Sequence, residues 1–220
     1  MDIKKIIMFL LKKLENLTHR ILVKIDSEVN ISEEGDNSPS QYVRKFILEH
    51  GIHPEAASVI PYTNALGIDI GCGGNKTLPN VIGVDITPKG QKGLWGNQRG
   101  VVSEADVCAS GDCLPFKSNE FDFIIARHNL EHYQDIIKTL AEWFRVLKVR
   151  GYLCIVLPDD TELDTIHLDS THKHVFTPES FRRLIENLGG FEIIKIEVCI
   201  PRWSFVCILK KRDDKSGKIF

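Results

Sequence analysis

The chain has 220 residues, of which 43% are hydrophobic and 26% are charged. This composition allows one sizeable core, favours a single large domain and excludes a chain that is disordered throughout. The formal charge of -2 at pH 7 gives no strong field for nucleic acid, and no stripe of aromatic and basic residues suggests such a partner.

The first predicted element is an amphipathic helix over residues 1–25, where apolar residues recur at helical spacing. We expect its apolar face to pack on the same domain or on a second subunit, as in a homodimer; peripheral contact with a membrane surface is the alternative. The polar, acidic stretch 26–41 follows and is interpreted as a linker or mobile lid. Residues 1–41 thus form an amino-terminal segment, 42–212 the main domain, and 213–220 a basic flexible tail.

The main domain alternates apolar runs with helical patterns. The runs predict strands at residues 65–70, 81–86, 121–126 and 151–158, with a short one at 101–102. Helices are predicted over about 42–50, 130–148 and 177–190, the last with Thr177 as its N-cap and Pro178 at its first position. Two final runs, 191–200 and 203–211, indicate an antiparallel pair. The predicted fold class is α/β: a Rossmann-like doubly wound sheet, mostly parallel, with a carboxy-terminal antiparallel hairpin.

A glycine-rich loop follows the first of these strands. Gly71 and Gly73 permit a tight turn and close approach of a ligand to the backbone, and Asn75 tolerates a left-handed conformation. Asp85 ends the next strand, where a carboxylate can accept hydrogen bonds from both hydroxyls of a ribose. Because ligands of such sheets bind beyond the carboxyl ends of the strands, these residues predict a nucleoside site.

The connection after the loop is short. Only residues 75–80 separate it from the next strand, and position 76 is Lys where a dinucleotide fingerprint has its third glycine. This leaves little room for a helix that binds a pyrophosphate. The pattern therefore favours a nucleoside without phosphates, with S-adenosylmethionine as the leading candidate, and disfavours a nicotinamide-dependent oxidoreductase.

Three segments in order carry a family resemblance: "GIDIGCGGNK…VIGVDI", "CLPFKSNEFDFIIARHNLEHYQD" and "WFRVLKVRGYLCIVLPD". They resemble the motifs of class I S-adenosylmethionine-dependent methyltransferases, in the group called methyltransferase type 11. The resemblance covers about residues 66–191 and implies a transferase whose cofactor is S-adenosylmethionine.

The resemblance also implies roles for individual residues. Asp69 would orient the glycine loop, while Ala126, Arg127 and His132 would border the sulfonium end of the cofactor. The cofactor-binding set expected from loop and resemblance together is Asp69, Gly71, Cys72, Gly73, Asn75, Asp85, Ile86, Asp106, Val107, Ala126, Arg127 and His132.

Two acids compete for the adenine end. The resemblance implies that Asp106 accepts a hydrogen bond from the adenine amino group, with Val107 stacking nearby. Asp112 is the rival, because the family usually has fewer residues between this acid and the "LPF" sequence. We favour Asp106 because it directly follows the predicted strand at 101–102.

Methyl transfer from a sulfonium is an in-line displacement, and a general base is needed only for a hydroxyl or a protonated amine. His128, His172 and His174 are the candidate bases. A metal-assisted reaction was considered because acids crowd the loop after residue 158, namely Asp159, Asp160, Glu162, Asp164 and Asp169. Magnesium would need oxygen ligands from more than one loop, and position 127 offers Arg, so no metal is expected.

We expect an enzyme that methylates a small molecule or a sugar- or lipid-linked acceptor; a non-catalytic S-adenosylmethionine-binding or regulatory subunit is the alternative. None of the six cysteines forms a Cys-x-x-Cys pair, and no apolar run approaches the ~20 residues of a membrane span. The start of the chain also lacks a small-residue cleavage site. A reduced, cytoplasmic protein without disulfides, a zinc site or a transmembrane span is therefore expected.

Overall fold

The computed structural model describes residues 38–94 and 98–213. These residues belong to two compact units that divide between Pro54 and Glu55. The predicted helix over 1–25 and almost all of the predicted lid lie outside the described residues, as does the tail from 214 onwards. The expected domain boundaries therefore remain predictions.

The described part of the first unit contains one helix, α1 (Pro39–His50). The hydroxyl of Ser38 caps it by accepting a hydrogen bond from the amide of Gln41, and the helix ends at Gly51, which has a left-handed φ of 70°. The helix thus begins three residues earlier than expected, because Ser38 and Pro39 supply the N-cap and the first helical position.

The second unit is built on a seven-stranded sheet. Its strands are β1 (Gly67–Ile70), β2 (Ile82–Asp85), β3 (Val107–Cys108), β4 (Phe121–Arg127), β5 (Leu147–Pro158), β6 (Phe191–Ile200) and β7 (Ser204–Lys211). They lie in the order β3-β2-β1-β4-β5-β7-β6; neighbours from β3 to β5 are parallel, and β7 is antiparallel to both β5 and β6. This arrangement confirms the predicted fold class.

From residue 54 onwards, the described α-helices lie before β1 and after β4, and none of them lies between β1 and β4. They are α2 (Pro54–Val59), α3 (Ile136–Val146), α4 (Thr165–Leu168) and α5 (Pro178–Leu188), with 3-10 turns at Ile60–Tyr62 and Leu130–His132. The N-cap of α5 is Thr177, as predicted, and its hydroxyl accepts a hydrogen bond from the amide of Ser180. The predicted helix over 130–148 is wrong as one element: Asp135 caps a shorter α3, and β5 already begins at Leu147, which pairs with Phe121.

Side chains on alternate strand positions form two cores on the two faces of the sheet. One core contains Trp143 of α3 and Phe181 of α5, packed with Ile124, Ile155 and Phe205 of the strands. The other contains Val59 of α2, packed with strand residues that include Phe123, Ile125, Cys154, Val156 and Val206. The sheet is thus buried between helices, which agrees with the apolar runs of its central strands.

The chain between β2 and β3 departs from the predicted pattern. In the described part of residues 86–106 no α-helix forms; Lys92 pairs with Val102, and Gly93 with Arg99, as isolated bridges. The strand predicted at 101–102 is therefore not part of the main sheet. Its place is taken by the two-residue strand β3, which pairs with Val84 and Asp85 of β2.

β1 lies between β2 and β4, and the chain must cross over from β3 to reach β4. This is the switch point at which parallel sheets open a crevice beyond the carboxyl ends of their strands. Across the residues that the structure describes, no helix has the length and apolar character to cross a membrane.

Candidate active site

The glycine loop turns sharply at the carboxyl end of β1. Gly71 and Gly73 have φ values of 72° and 50°, a conformation that side chains with a Cβ rarely adopt. The amide of Gly71 donates to the carbonyl of Val84 over 2.8 Å, which ties the loop to β2. A Cβ on Gly71 would lie 2.1 Å from Nδ2 of Asn129, so glycine is also required by close contact with the end of β4.

Asp85 lies half-buried at the carboxyl end of β2 and faces the glycine loop. Its Oδ2 accepts a hydrogen bond from the amide of Gly73 over 2.9 Å, and its Oδ1 accepts one from the amide of Thr87 over 2.8 Å. Each carboxylate oxygen has a second lone pair, so both oxygens are still able to accept a ribose hydroxyl. The carboxylate is thus held by backbone groups in a fixed orientation beside the loop.

Asp69 and Cys72 are buried residues that hold the glycine loop in position. Asp69 is 1% exposed, and its Oδ2 accepts a hydrogen bond from the amide of Thr77 over 2.6 Å. Burial raises the pKa of Asp69, against the opposing effects of this hydrogen bond and of Arg127. The thiol of Cys72 lies under the loop near Gly83, and burial raises its pKa to about 12, so it is an inert packing group. Both residues position the loop and have no open face toward a ligand.

The position of Asp106 relative to the strands differs from the predicted one, while its role in cofactor binding stays a prediction. Asp106 precedes β3 instead of following a strand, and its Oδ2 accepts hydrogen bonds from Lys76 and, over 3.0 Å, from the amide of Gly83. Its other oxygen accepts from Lys89 over 3.1 Å. The Lys76 ammonium first of all, and then the Gly83 amide, hold the pKa of Asp106 well below its usual range. The argument that placed Asp106 directly after a strand was therefore wrong, because β3 is too short to be recognised by its pattern.

The segment that does follow β3 contains Asp112. Its Oδ1 accepts from the hydroxyl of Ser110 over 2.5 Å, and its Oδ2 accepts from Lys138 over 3.0 Å. Ile86, which follows β2, is 62% exposed beside this edge, whereas Val107 is half-buried against the core. The position expected for the adenine acid, after the third strand, is thus occupied by Asp112.

At the end of β4, three predicted residues have different surroundings. Ala126 is fully buried in the core, so it can offer a ligand only its backbone. The guanidinium of Arg127 donates to the carbonyl of Asn75 over 3.3 Å and lies 3.7 Å from the carboxylate of Glu55. Asn129 was missed by sequence reasoning, although its place directly after a strand could have indicated it. It lies against Gly71 and accepts a hydrogen bond from the Tyr133 hydroxyl over 2.9 Å.

His128 has a buried carboxylate partner that the sequence did not suggest. Its Nε2 lies 2.8 Å from Oε1 of Glu55, which is 3% exposed and also accepts a hydrogen bond from Ser204 over 2.8 Å. Burial opposes protonation of His128, but Glu55 and, to a smaller extent, Glu131 outweigh it and raise the pKa above the ordinary value. His128 also has a φ of 48°, and strained backbone of this kind is frequent at functional sites. The pair has the arrangement of a histidine base oriented by an acid.

The other two candidate bases have different contacts, although Nε2 of His172 and Nδ1 of His128 lie 3.9 and 3.8 Å from the same atom, Oε1 of Glu131. The ring of His172 packs against His132, with ring centroids 4.8 Å apart. His174 is half-buried, and its Nε2 lies 3.4 Å from the carbonyl oxygen of Gln134. The fold thus brings together His132 and His172, from the loops after β4 and β5, and leaves His174 in separate contacts.

The acidic loop after β5 is used for local turns. Asp160 accepts hydrogen bonds from the amide and hydroxyl of Thr165 over 2.9 and 2.8 Å, and Asp159 accepts one from the amide of Thr161 over 3.0 Å. Asp164 caps α4. These three carboxylates accept hydrogen bonds from neighbouring residues of the same loop, so they stabilise local turns.

Comparison with known proteins identifies the family. A protein-family model described as "Methyltransferase domain" matches residues 68–155. An uncharacterised protein of Methanocaldococcus jannaschii is 33% identical over 144 residues, which cover 62% of this chain and 68% of that protein. A Leishmania donovani protein named 2-methoxy-6-polyprenyl-1,4-benzoquinol methylase, mitochondrial, is 30% identical over 128 residues, 54% of this chain and 44% of that protein.

A solved structure, a SAM-dependent methyltransferase from Archaeoglobus fulgidus, has a TM-score of 0.55 at 20% identity, over 77% of this chain and 100% of that one. At this identity the likeness concerns the fold. The sheet order, the glycine loop and the acid after β2 define a Rossmann-like protein that binds a nucleoside. With the family match, the chain belongs to the class I S-adenosylmethionine-dependent methyltransferases, and S-adenosylmethionine is the cofactor. The chain matches less than half of the length of the Leishmania relative.

Replacing Gly71 by alanine is expected to weaken binding of S-adenosylmethionine at least about tenfold. The left-handed backbone costs roughly 1–2 kcal/mol for a residue with a Cβ, and here the Cβ would also displace Asn129. Calorimetric titration with the cofactor measures the effect. Gly51→Ala is the matched control, because its φ of 70° carries the same strain with no atom within 4 Å of the added Cβ. Equal affinity losses in the two variants would remove Gly71 from the cofactor site.

Proposed function

We propose that this methyltransferase transfers the methyl group to a hydroxyl of a small molecule or of a sugar- or lipid-linked acceptor. The observation that carries the proposal is the pair formed by His128 and Glu55 beyond the end of β4. A base is required for a hydroxyl acceptor, whereas a neutral nucleophile needs none. A histidine held by a buried carboxylate is suited to that task.

The residues have separate roles in the proposed reaction. Asp85 binds the ribose, Asp112 accepts from the adenine amino group, and the backbone of Gly71 and Gly73 approaches the methionine end of the cofactor. Bound S-adenosylmethionine would supply an electrophilic methyl group; as the acceptor oxygen bonded to its carbon, the carbon–sulfur bond would break and the electron pair of that bond would stay on sulfur. If Nε2 donates its proton to Glu55, Nδ1 of His128 is free to accept the proton of the acceptor.

The residues that bind the cofactor do not indicate which acceptor is methylated, so the acceptor class is inferred from other observations. Arg127 ends β4, and His128 and His132 follow it, so all three lie at the carboxyl edge of the sheet. Arg127 and His132 are the residues predicted to border the sulfonium end of the cofactor. The name of the Leishmania relative describes a methylase of a polyprenyl-linked benzoquinol, which supports a lipid-linked compound as one candidate acceptor here. A non-catalytic binding subunit is the competing proposal, and it lacks a use for the base.

Methyl transfer from labelled S-adenosylmethionine to a panel of acceptors tests the proposal. The panel contains hydroxylated aromatic compounds, sugars and polyprenylated quinols, with amines and nucleic acid as comparison acceptors. We expect label in a hydroxyl-bearing product and release of the demethylated cofactor. Binding of the cofactor without transfer to any acceptor would favour the non-catalytic subunit, and transfer only to amines would contradict the hydroxyl assignment.

We further propose a cytoplasmic location. All six cysteines are free thiols, and four of them are buried, as expected in a reducing compartment. The predicted homodimer and the alternative of peripheral membrane contact both depend on residues 1–25, which lie outside the described residues, so both stay predictions.

A further inference from the structure

A buried carboxylate beside the proposed base has no hydrogen-bond partner among the described residues. Glu131, in the 3-10 turn after β4, is 1% exposed, and neither of its carboxylate oxygens has a hydrogen-bond partner among the described residues. Burying an ionised carboxylate without a partner is strongly unfavourable, and buried charges in proteins are normally paired or bind a metal. This carboxylate is therefore a candidate ligand for a cation.

Three imidazoles surround the same oxygen atom of this carboxylate. Oε1 of Glu131 lies 3.8 Å from Nδ1 of His128, 3.9 Å from Nε2 of His132 and 3.9 Å from Nε2 of His172. These distances exceed the 2.7–3.2 Å range of a hydrogen bond, so a shared proton does not join the groups. They leave space for a small ion between the carboxylate and the rings.

The hydrogen bonds of His132 set which of its nitrogens carries the proton. The hydroxyl of Thr171 donates to Asp169 over 2.6 Å, so its oxygen accepts from Nδ1 of His132 over 3.0 Å. Nε2 then presents its lone pair to Glu131. With Nε2 of His172 likewise unprotonated, both nitrogens and the carboxylate would present lone pairs to one another at 3.9 Å, which is favourable only with a cation between them.

We infer that Glu131, His132 and His172 form a binding site for a divalent transition-metal ion, and that Zn²⁺ suits it best. Their ligand atoms all lie within 4.8 Å of one another. Two imidazole nitrogens and one carboxylate oxygen are ligands that zinc prefers, and a three-ligand set leaves a coordination position open. Ligand atoms around tetrahedral zinc are about 3.4 Å apart, given bonds of about 2.0–2.2 Å. Each 3.9 Å separation would therefore shorten by about half an ångström on binding.

The surroundings favour a preformed site. The backbone carbonyl of Glu131 accepts hydrogen bonds from the amides of Lys173 and His174 over 2.8 and 3.2 Å, so the two segments that supply the ligands are already joined. The bond from His132 to Thr171 and on to Asp169 matches the second shell that orients metal-bound histidines. None of the three ligands is a cysteine or one of the acidic residues considered from the sequence, although one of those acids, Asp169, holds Thr171.

Zinc binding to the full, untagged chain tests the inference. After removal of metal with a chelator and dialysis against micromolar Zn²⁺, we expect about one equivalent bound in the wild type, measured by mass spectrometry of the metal. Glu131→Gln and His172→Asn should lose this equivalent. Thr171→Val should weaken binding about 10–100-fold, as second-shell substitutions do. Co²⁺ in place of zinc should give visible absorption bands, whose intensity reports tetrahedral geometry.

Two controls separate the site from other ligands. His167→Asn removes an exposed histidine of α4, and the double variant Cys108→Ser, Cys113→Ser removes the exposed thiols. Both should keep the bound zinc. Circular dichroism and calorimetry with S-adenosylmethionine show whether each variant is folded, independently of any acceptor. Absence of zinc in the wild type, or retention of it in a folded Glu131→Gln chain, would overturn the inference, as would loss of it in the cysteine variant alone.

Discussion

Replacing Asp85 by alanine is expected to weaken S-adenosylmethionine binding by about 100-fold or more. Two hydrogen bonds from ribose hydroxyls to a charged acceptor are removed, and each contributes on the order of 1.5–3 kcal/mol. The substitution also removes the acceptor for the amides of Gly73 and Thr87, so the glycine loop loses one of its supports. Calorimetric titration of cofactor and demethylated product measures the loss.

Two comparison variants sharpen this experiment. Asp85→Asn keeps an oxygen acceptor and the shape of the side chain, so an intermediate loss is expected. Asp122→Ala removes a half-buried acid that also accepts from a backbone amide, that of Leu66, but at the amino end of β4. It should lower stability without changing cofactor affinity. An affinity of Asp85→Ala within twofold of the wild type would remove this residue from the site.

Replacing His128 by asparagine is expected to lower kcat by about 10²–10⁴-fold, the usual contribution of a general base, with cofactor affinity nearly unchanged. The measurement is turnover with the hydroxyl acceptor that the panel identifies. His167→Asn, at an exposed position of α4, is the control and should retain wild-type turnover. His174 is the rival candidate, so a comparable loss in His174→Asn with normal turnover in His128→Asn would transfer the role to that residue.

The pH dependence of kcat gives a second measure of the same base. The reaction requires neutral His128, so activity rises as pH increases through its pKa. Burial and, more weakly, Arg127 lower this pKa, but Glu55 with a smaller contribution from Glu131 more than offsets them and places the pKa above the ordinary value. Glu55→Gln removes the charge, so the acidic limb of the profile should move to lower pH. It should also lower kcat, because the orienting carboxylate is lost. An unchanged acidic limb would separate Glu55 from the base.

The sequence by itself determined much of the framework, because that information is local. Alternation and apolar runs identified six of the strands, and Thr177 and Pro178 marked the start of α5. Gly71, Gly73 and Asp85 could be placed because a turn and a strand end are fixed by a few consecutive residues. The same reasoning failed for β3, whose two residues, Val107 and Cys108, form a strand only because they pair with β2. With that pairing unseen, Asp106 was placed on the wrong side of the strand.

Only the tertiary structure decided which polar side chains meet. Glu55 is 73 residues from His128 and 149 from Ser204 along the chain, and none of the three stands in a motif that names the others. His132 and His172 come from loops after different strands, and they converge on Glu131 because parallel β4 and β5 release their loops at the same edge of the sheet. A one-dimensional pattern records spacing and polarity. It does not show which distant side chains meet in space, because that depends on the strand order and on where each crossover returns the chain.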